Sequence, residues 1–106
     1  MVKFKGKTFM IVKLTQDLKN GFAPWKAMLH ENGDKLKKHG ITCIFAGTEK
    51  DNDNKLIVIM NFASQEGMMG FKNDEELTQK RIAAGAMVET TVMTPMTGEA
   101  VINFAG

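Results

Sequence analysis

Apolar and polar residues follow two rhythms along this chain, and the switches between them predict its elements. The first apolar run, "KTFMIVKL" (Lys7–Leu14), is aromatic and β-branched and predicts a strand. Beyond it, Phe22, Trp25, Met28, Leu29 and Leu36 recur at helical intervals, with Lys26, Glu31, Lys35 and Lys38 on the opposite side. Pro24 suits a helix's first turn, where a missing N–H costs nothing. Gly40 stops the helix, and Lys37, Lys38 and His39 favour its C-terminal dipole. Gly33 weakens its middle by ~1 kcal/mol relative to alanine.

Two further strands are predicted over Ile41–Gly47 and Leu56–Phe62, joined by a hairpin loop "TEKDNDNK" rich in turn residues. A second helical region follows in two pieces. Ser64 caps a short turn through Phe71, and Asn73 caps a helix over Asp74–Ala84, with Glu76 placed for a reciprocal capping box. Gly85 ends that helix. Met87–Thr94 predicts a fourth strand, and Pro95 and Gly98 break it. The closing "EAVINF" offers a short fifth strand or an arm. The order β-α-β-β-α-β predicts an α+β, ferredoxin-like domain. Its four-stranded antiparallel sheet carries both helices on one face. The chain reads as one domain over residues 1–106, with a core at about 7–94 and a tail or arm at 95–106.

The strands do not alternate cleanly between apolar and polar. In the first, Met10, Val12 and Leu14 oppose Phe9 and Ile11. In the third, Leu56, Val58, Met60 and Phe62 oppose Ile57 and Ile59. In the second, Ile44 opposes Ile41, Cys43 and Phe45. Both faces therefore require burial, and two helices cover only one. A second copy of the chain supplies the missing cover, so a homodimer with sheets packed face to face is expected.

Composition narrows the function. The 106 residues carry a net charge of +2, with 43% hydrophobic and 25% charged residues. The lysines are scattered apart from Lys35, Lys37 and Lys38, so no basic arm for nucleic acid forms. No apolar run nears the ~20 residues of a membrane span. The N-terminal apolar stretch lacks a cleavage site, so no signal peptide is expected. One cysteine forms no internal disulfide, which suits a reducing cytoplasm. RNA-recognition domains share the element order but stack bases on aromatics of the first and third strands. The third strand here, "KLIVIMNF", has no aromatic before Phe62, and nucleic acid is not an expected partner.

The stretch "KKHGITCIFAGTEKDNDNKLIVIMNF", followed by "MVETTVMT", resembles a family of short uncharacterised bacterial proteins. That family sits in the dimeric α/β-barrel superfamily, in which two ferredoxin-like protomers join their sheets into a barrel. The likeness covers Thr8 to about Thr94. It implies a dimeric barrel. It also brings in cofactor-independent monooxygenases, haem-degrading enzymes and isomerases as relatives, without choosing among them. Haem-degrading relatives bind iron through a histidine on the later helix. This chain has no histidine there, and no cofactor is expected.

Candidate chemistry is sparse. His30 and His39 lie on opposite sides of one helix and cannot chelate one metal. His39 reads as a surface residue at the helix end, while His30, next to Leu29, is a weak catalytic candidate. Cys43 reads as a buried, inert thiol, with no base on its strand. The "DNDN" cluster lacks the later ligands of a calcium loop and reads as a hairpin tip. The nine methionines read as core filler, and no metal site is expected. Lys13 and Asn61 are the more interesting polar positions. With the first and third strands taken as parallel neighbours, they fall side by side on an otherwise apolar face, and Thr90 joins them. Trp25 is a candidate pocket wall between helix and sheet. Lys13, Asn61, Thr90 and Trp25 are thus the expected ligand-binding set, with Lys13, Asn61 and His30 as weak catalytic candidates.

Two functions remain. One is a monooxygenase-like enzyme acting on a small apolar or aromatic molecule. The other is a non-catalytic homodimer that binds a ligand or a protein. A cavity of at least ~300 Å³ holding two or more of these polar groups would favour the enzyme.

Overall fold

The computed structural model describes residues 10–106. The chain runs β1 (Met10–Leu18), α1 (Phe22–Glu31), α2 (Gly33–Lys38), β2 (Ile41–Glu49), β3 (Asn52–Phe62), α3 (Gln65–Lys72), α4 (Glu75–Ala83), β4 (Ala86–Met96). The strands form one antiparallel sheet in the order β2-β3-β1-β4. This is the ferredoxin-like α+β arrangement. The start of the expected first strand, Lys7–Phe9, lies outside the described residues.

Each strand outruns its apolar block. β1 continues through Thr15, Gln16 and Asp17 because it is central and pairs on both edges. The expected hairpin loop is mostly strand, since β2 ends at Glu49 and β3 begins at Asn52. β4 runs past Pro95, which is tolerated on an edge strand where its missing N–H breaks no ladder.

The long first helix is two helices. Asn32 breaks it with φ −112° and ψ 20°, and its buried amide donates to the carbonyl of Met28 at 2.8 Å. Gly33 then starts α2. Helix α1 has no cap of its own at Gly21. Its cap comes from the hairpin: Asn54 Oδ1 accepts from Gly21 N at 2.9 Å and Asp53 Oδ2 from Phe22 N at 3.1 Å. The "DNDN" tip is thus a cap for a distant helix. Ser64 caps α3 as expected, accepting from Gly67 N. Helix α4 is capped by Asp74, which accepts from Leu77 N at 2.9 Å, and not by Asn73.

The helix-side face of the sheet carries Val12, Leu14, Leu18, Leu56, Val58, Met60 and Phe62, all buried against Trp25, Met28, Phe71 and Leu77. Phe62 is fully buried, and its ring lies 5.8 Å from that of Phe71. The opposite face carries Ile11, Ile57, Ile59, Phe45, Val92 and Met96, set there by the register. Phe45 was expected on the same face as Cys43. A bulge between them moves it to face Ile59, opposite to Cys43.

Candidate functional site

A narrow cleft lies between the sheet and the helices. Leu14, Val58 and Met60 form its floor, Trp25, Met28 and Leu29 of α1 its roof, and Phe71 and Leu77 one wall. Its volume is about 40 Å³, room for one or two waters. Three polar groups interrupt the apolar lining: Gln16, Cys43 and Arg81.

Each is placed by a specific local feature. Gln16 is buried on central β1. The register steps from Thr15↔Val92 to Asp17↔Met87, so Val88–Thr91 stand opposite Gln16 alone. This large bulge lets Thr91 Oγ1 accept from Gln16 Nε2 at 2.6 Å. Thr90 holds the bulge shut. Its Oγ1 accepts from Asp17 N at 2.8 Å and donates to the carbonyl of Met87 at 2.6 Å. Arg81, in the last turn of α4, lies with its guanidinium carbon 5.3 Å from the centre of the Phe71 ring. Burial pushes its pKa down. Among the described residues no carboxylate pairs with it. Trp25 stacks on Phe22 at 5.9 Å and is buried, and its Nε1–H has no acceptor. A buried donor without a partner is costly.

A second polar cluster ties the end of α2 to the start of α4. Asp74 receives Lys35 Nζ at 3.0 Å and His39 Nε2 at 2.9 Å, and Lys35 also pairs with Glu76. These contacts, with the His39 bond foremost, hold the Asp74 carboxyl well below the usual carboxylate range. His39 is therefore part of an inter-helix tie as well as a helix stop. Glu76 serves this tie and not a capping box.

Of the expected ligand-binding and catalytic residues, only Trp25 lines the cleft. β1 and β3 are antiparallel, not parallel, so Lys13 faces Ile59 and Asn61 faces Ile11. Lys13 and Asn61 are diagonal neighbours on the open face, away from the helices. Thr90 belongs to the β4 bulge. His30 is exposed and is not among the cleft residues. Cys43 is exposed on edge strand β2 rather than buried, and partial desolvation raises its pKa. No group of three or more metal-ligating side chains occurs among the described residues.

Residues 9–97 match the profile of a domain of unknown function, DUF3764. The chain belongs to that family. No curated protein matches the DUF3764 chain by sequence. Solved structures share its fold. A Nitrosomonas europaea protein provisionally named an antibiotic biosynthesis monooxygenase has a TM-score of 0.64 at 12% identity, over 92% of this chain and 96% of that one. A Streptomyces coelicolor monooxygenase, solved with the ligand nanaomycin D, gives 0.54 at 11% identity, over 93% and 95%. A dimeric ferredoxin-like protein from an uncultured marine organism gives 0.52 at 12% identity, over 93% of each chain. At these identities the likeness is one of fold.

Sequence reasoning passed over Gln16 and Arg81, the two charged or amide groups of the cleft in this DUF3764 chain. Gln16 lies beyond the apolar block Lys7–Leu14. Arg81 is the only arginine in the chain. That singular residue, on a helix that otherwise carries two glutamates and one lysine, was the available signal.

Proposed function

We propose that this protein takes a small, largely apolar molecule into the helix–sheet cleft and acts there as a cofactor-independent, monooxygenase-like enzyme, working as a homodimer. The observation that carries the reading is the buried Trp25 Nε1–H, left without an acceptor in a cleft walled mainly by apolar side chains. The fold neighbours described as monooxygenases support it. In such a reaction an electron-rich phenol with a free ring carbon reduces O₂ itself. One oxygen atom becomes a ring carbonyl, and the other leaves as water with the phenolic and ring hydrogens. The chain's part is to orient the ring, exclude water and offer the Trp25 donor to a substrate oxygen.

The cleft is far smaller than the ~300 Å³ of a typical ligand pocket. Binding therefore requires the α1–α2 roof to move outward. A non-catalytic binding role is the second reading, favoured by the small volume of the cleft, which holds only Trp25 of the expected polar groups, and by the absence of any His, Asp or Glu from its lining. Oxygen uptake with a panel of naphthols, run beside the fluorescence of Trp25, separates the two. Uptake that Trp25→Phe slows at least tenfold supports the enzyme. Binding without uptake leaves the second reading, and neither response overturns both.

The dimer reading rests on the open face, where Phe45, Val92 and Met96 stay 53%, 57% and 47% exposed in the single chain. Asn61 Oδ1 on that face is buried without a donor among the described residues. Lys13 and Asn61 thus belong to the proposed contact between copies. Sedimentation at micromolar concentration should give about twice the 11.7 kDa chain mass, and a single-chain mass would overturn it. No helix in the described residues is long and apolar enough to cross a membrane. A reducing cytoplasm remains the proposed setting, given the one unpaired cysteine.

A further inference from the structure

Arg81 is at odds with its surroundings. A guanidinium is always charged and carries five N–H donors. This one is partly buried at an apolar cleft, and it makes no ion pair among the described residues. Stacking on Phe71 and the C-terminal dipole of α4 both favour a cation at this place. Neither accepts its N–H hydrogens. Lys35, between α2 and α4, is treated differently: it takes two carboxylates, Asp74 and Glu76. The acids of α4 are engaged away from Arg81, with Asp74 and Glu76 on Lys35 and Glu75 accepting from Gln79.

A second donor lacks a partner on the same cleft, the Nε1–H of Trp25, whose side chain is more than nine-tenths buried. Gln16 is fixed there by the β4 bulge, its amide nitrogen spent on Thr91. The remaining cleft side chains are apolar apart from the Cys43 thiol. The Arg81 fork and the Trp25 N–H thus outnumber the one amide acceptor of the lining, the Gln16 oxygen, and one of these donors bears a full positive charge.

We propose that the ligand of this cleft is a small apolar carboxylic acid, bound as its carboxylate on the Arg81 guanidinium with the Trp25 N–H as a further donor. The inference rests on the ligand-binding reading of the cleft and adds the chemical class of what enters it. A carboxylate is ionised at neutral pH. It brings two oxygens that match the guanidinium fork and lone pairs to spare for an indole N–H. A phenol or hydrocarbon that carries no carboxylate would leave the partly buried Arg81 charge without a counter-ion, so the phenol of the proposed reaction is one that bears an acid group. The apolar lining takes the hydrocarbon part of the acid.

The chain has one tryptophan, so its emission reports on this cleft alone. The full-length protein is titrated with a panel of arene and alkane carboxylates, phenylacetate among them, and with the matching neutral amides. Sodium chloride at equal ionic strength is the control. The expected result is that at least one acid binds roughly tenfold or more tightly than its amide, the difference a charge-assisted bond makes. Arg81→Met should abolish that preference while leaving amide binding within about twofold, and Arg81→Lys should restore part of it. Thermal melts of both variants near that of the wild type confirm that the fold survives. Amides and acids bound alike, or a preference that survives Arg81→Met, would overturn the carboxylate inference and leave the cleft reading standing. No response of Trp25 to any member of the panel would overturn both.

Discussion

The two faces of the sheet both carry apolar residues in sequence and end in different states. On the helix side, Val12, Leu56 and Phe62 are closed over so well that only a space of about 40 Å³ remains. On the other side, Ile11, Ile44, Phe45 and Ile59 line a groove of about 400 Å³, arched over by the C-terminal residues Thr97 and Glu99–Asn103. That arm has no regular structure, and its own Val101 and Phe104 are 60% and 69% exposed. Of the two expected forms, a short fifth strand or an arm, it takes the second. The difference teaches that an apolar strand face records a need for cover and not the source of the cover. One face is satisfied by the chain's own helices, and the other is left for a second body.

The largest test of this contrast is a pair of truncations. Phe62→Ala should cost about 3–5 kcal/mol in urea unfolding, because it empties the sealed side beside Phe71. Phe45→Ala, on the exposed side, should leave single-chain stability within ~0.5 kcal/mol. Equal losses would mean that the two faces do not differ as described. Next in size is a charge on the open face. Ile59→Glu should weaken self-association roughly a hundredfold in sedimentation, since an unpaired carboxylate would be buried between sheets, while the helix-side core stays intact by circular dichroism. An unchanged dimer would move the contact elsewhere.

Smaller effects belong to the polar ties that hold the helices over the sealed side. Asp74→Ala removes the α4 cap and both partners from α2, at a cost of about 1–2 kcal/mol. The sign with pH follows from its depressed pKa. The contribution is full above the unfolded aspartate value of ~4 and fades as pH falls toward the folded value. The wild type should therefore lead the variant at pH 7 and lose that lead progressively below about pH 4. A gap that stays constant with pH would assign the effect to packing alone. Smallest is Asp53→Ala, which removes the hairpin's bond to Phe22 N. It should speed amide exchange in the first turn of α1 without changing exchange in β3.

Much of the fold was legible from the chain alone. Apolar runs rich in β-branched and aromatic residues marked the strands, Ser64 and Gly85 marked helix ends, and the apolar residues on both strand faces marked a sheet with two surfaces to bury. These signals are local, set by side-chain period and by backbone preferences of single residues. The site was far less legible. Lys13 and Asn61 do share a face, as diagonal rather than direct neighbours, but it is the open face, on the side of the sheet away from the cleft. His39 looks like a helix stop until Asp74, thirty-five positions later, is brought to it.

The sequence by itself determined the element order, the α+β class and the presence of two apolar sheet faces, because hydrophobic periodicity and turn chemistry act over a few residues. Only the tertiary structure decided which polar groups meet at the cleft. A three-residue step in the β1–β4 register fixes Gln16 to Thr91, and the packing of α4 sets Arg81 beside Phe71 and leaves it without a carboxylate. Register and helix packing are properties of distant segments in contact, and no local pattern of residues encodes them.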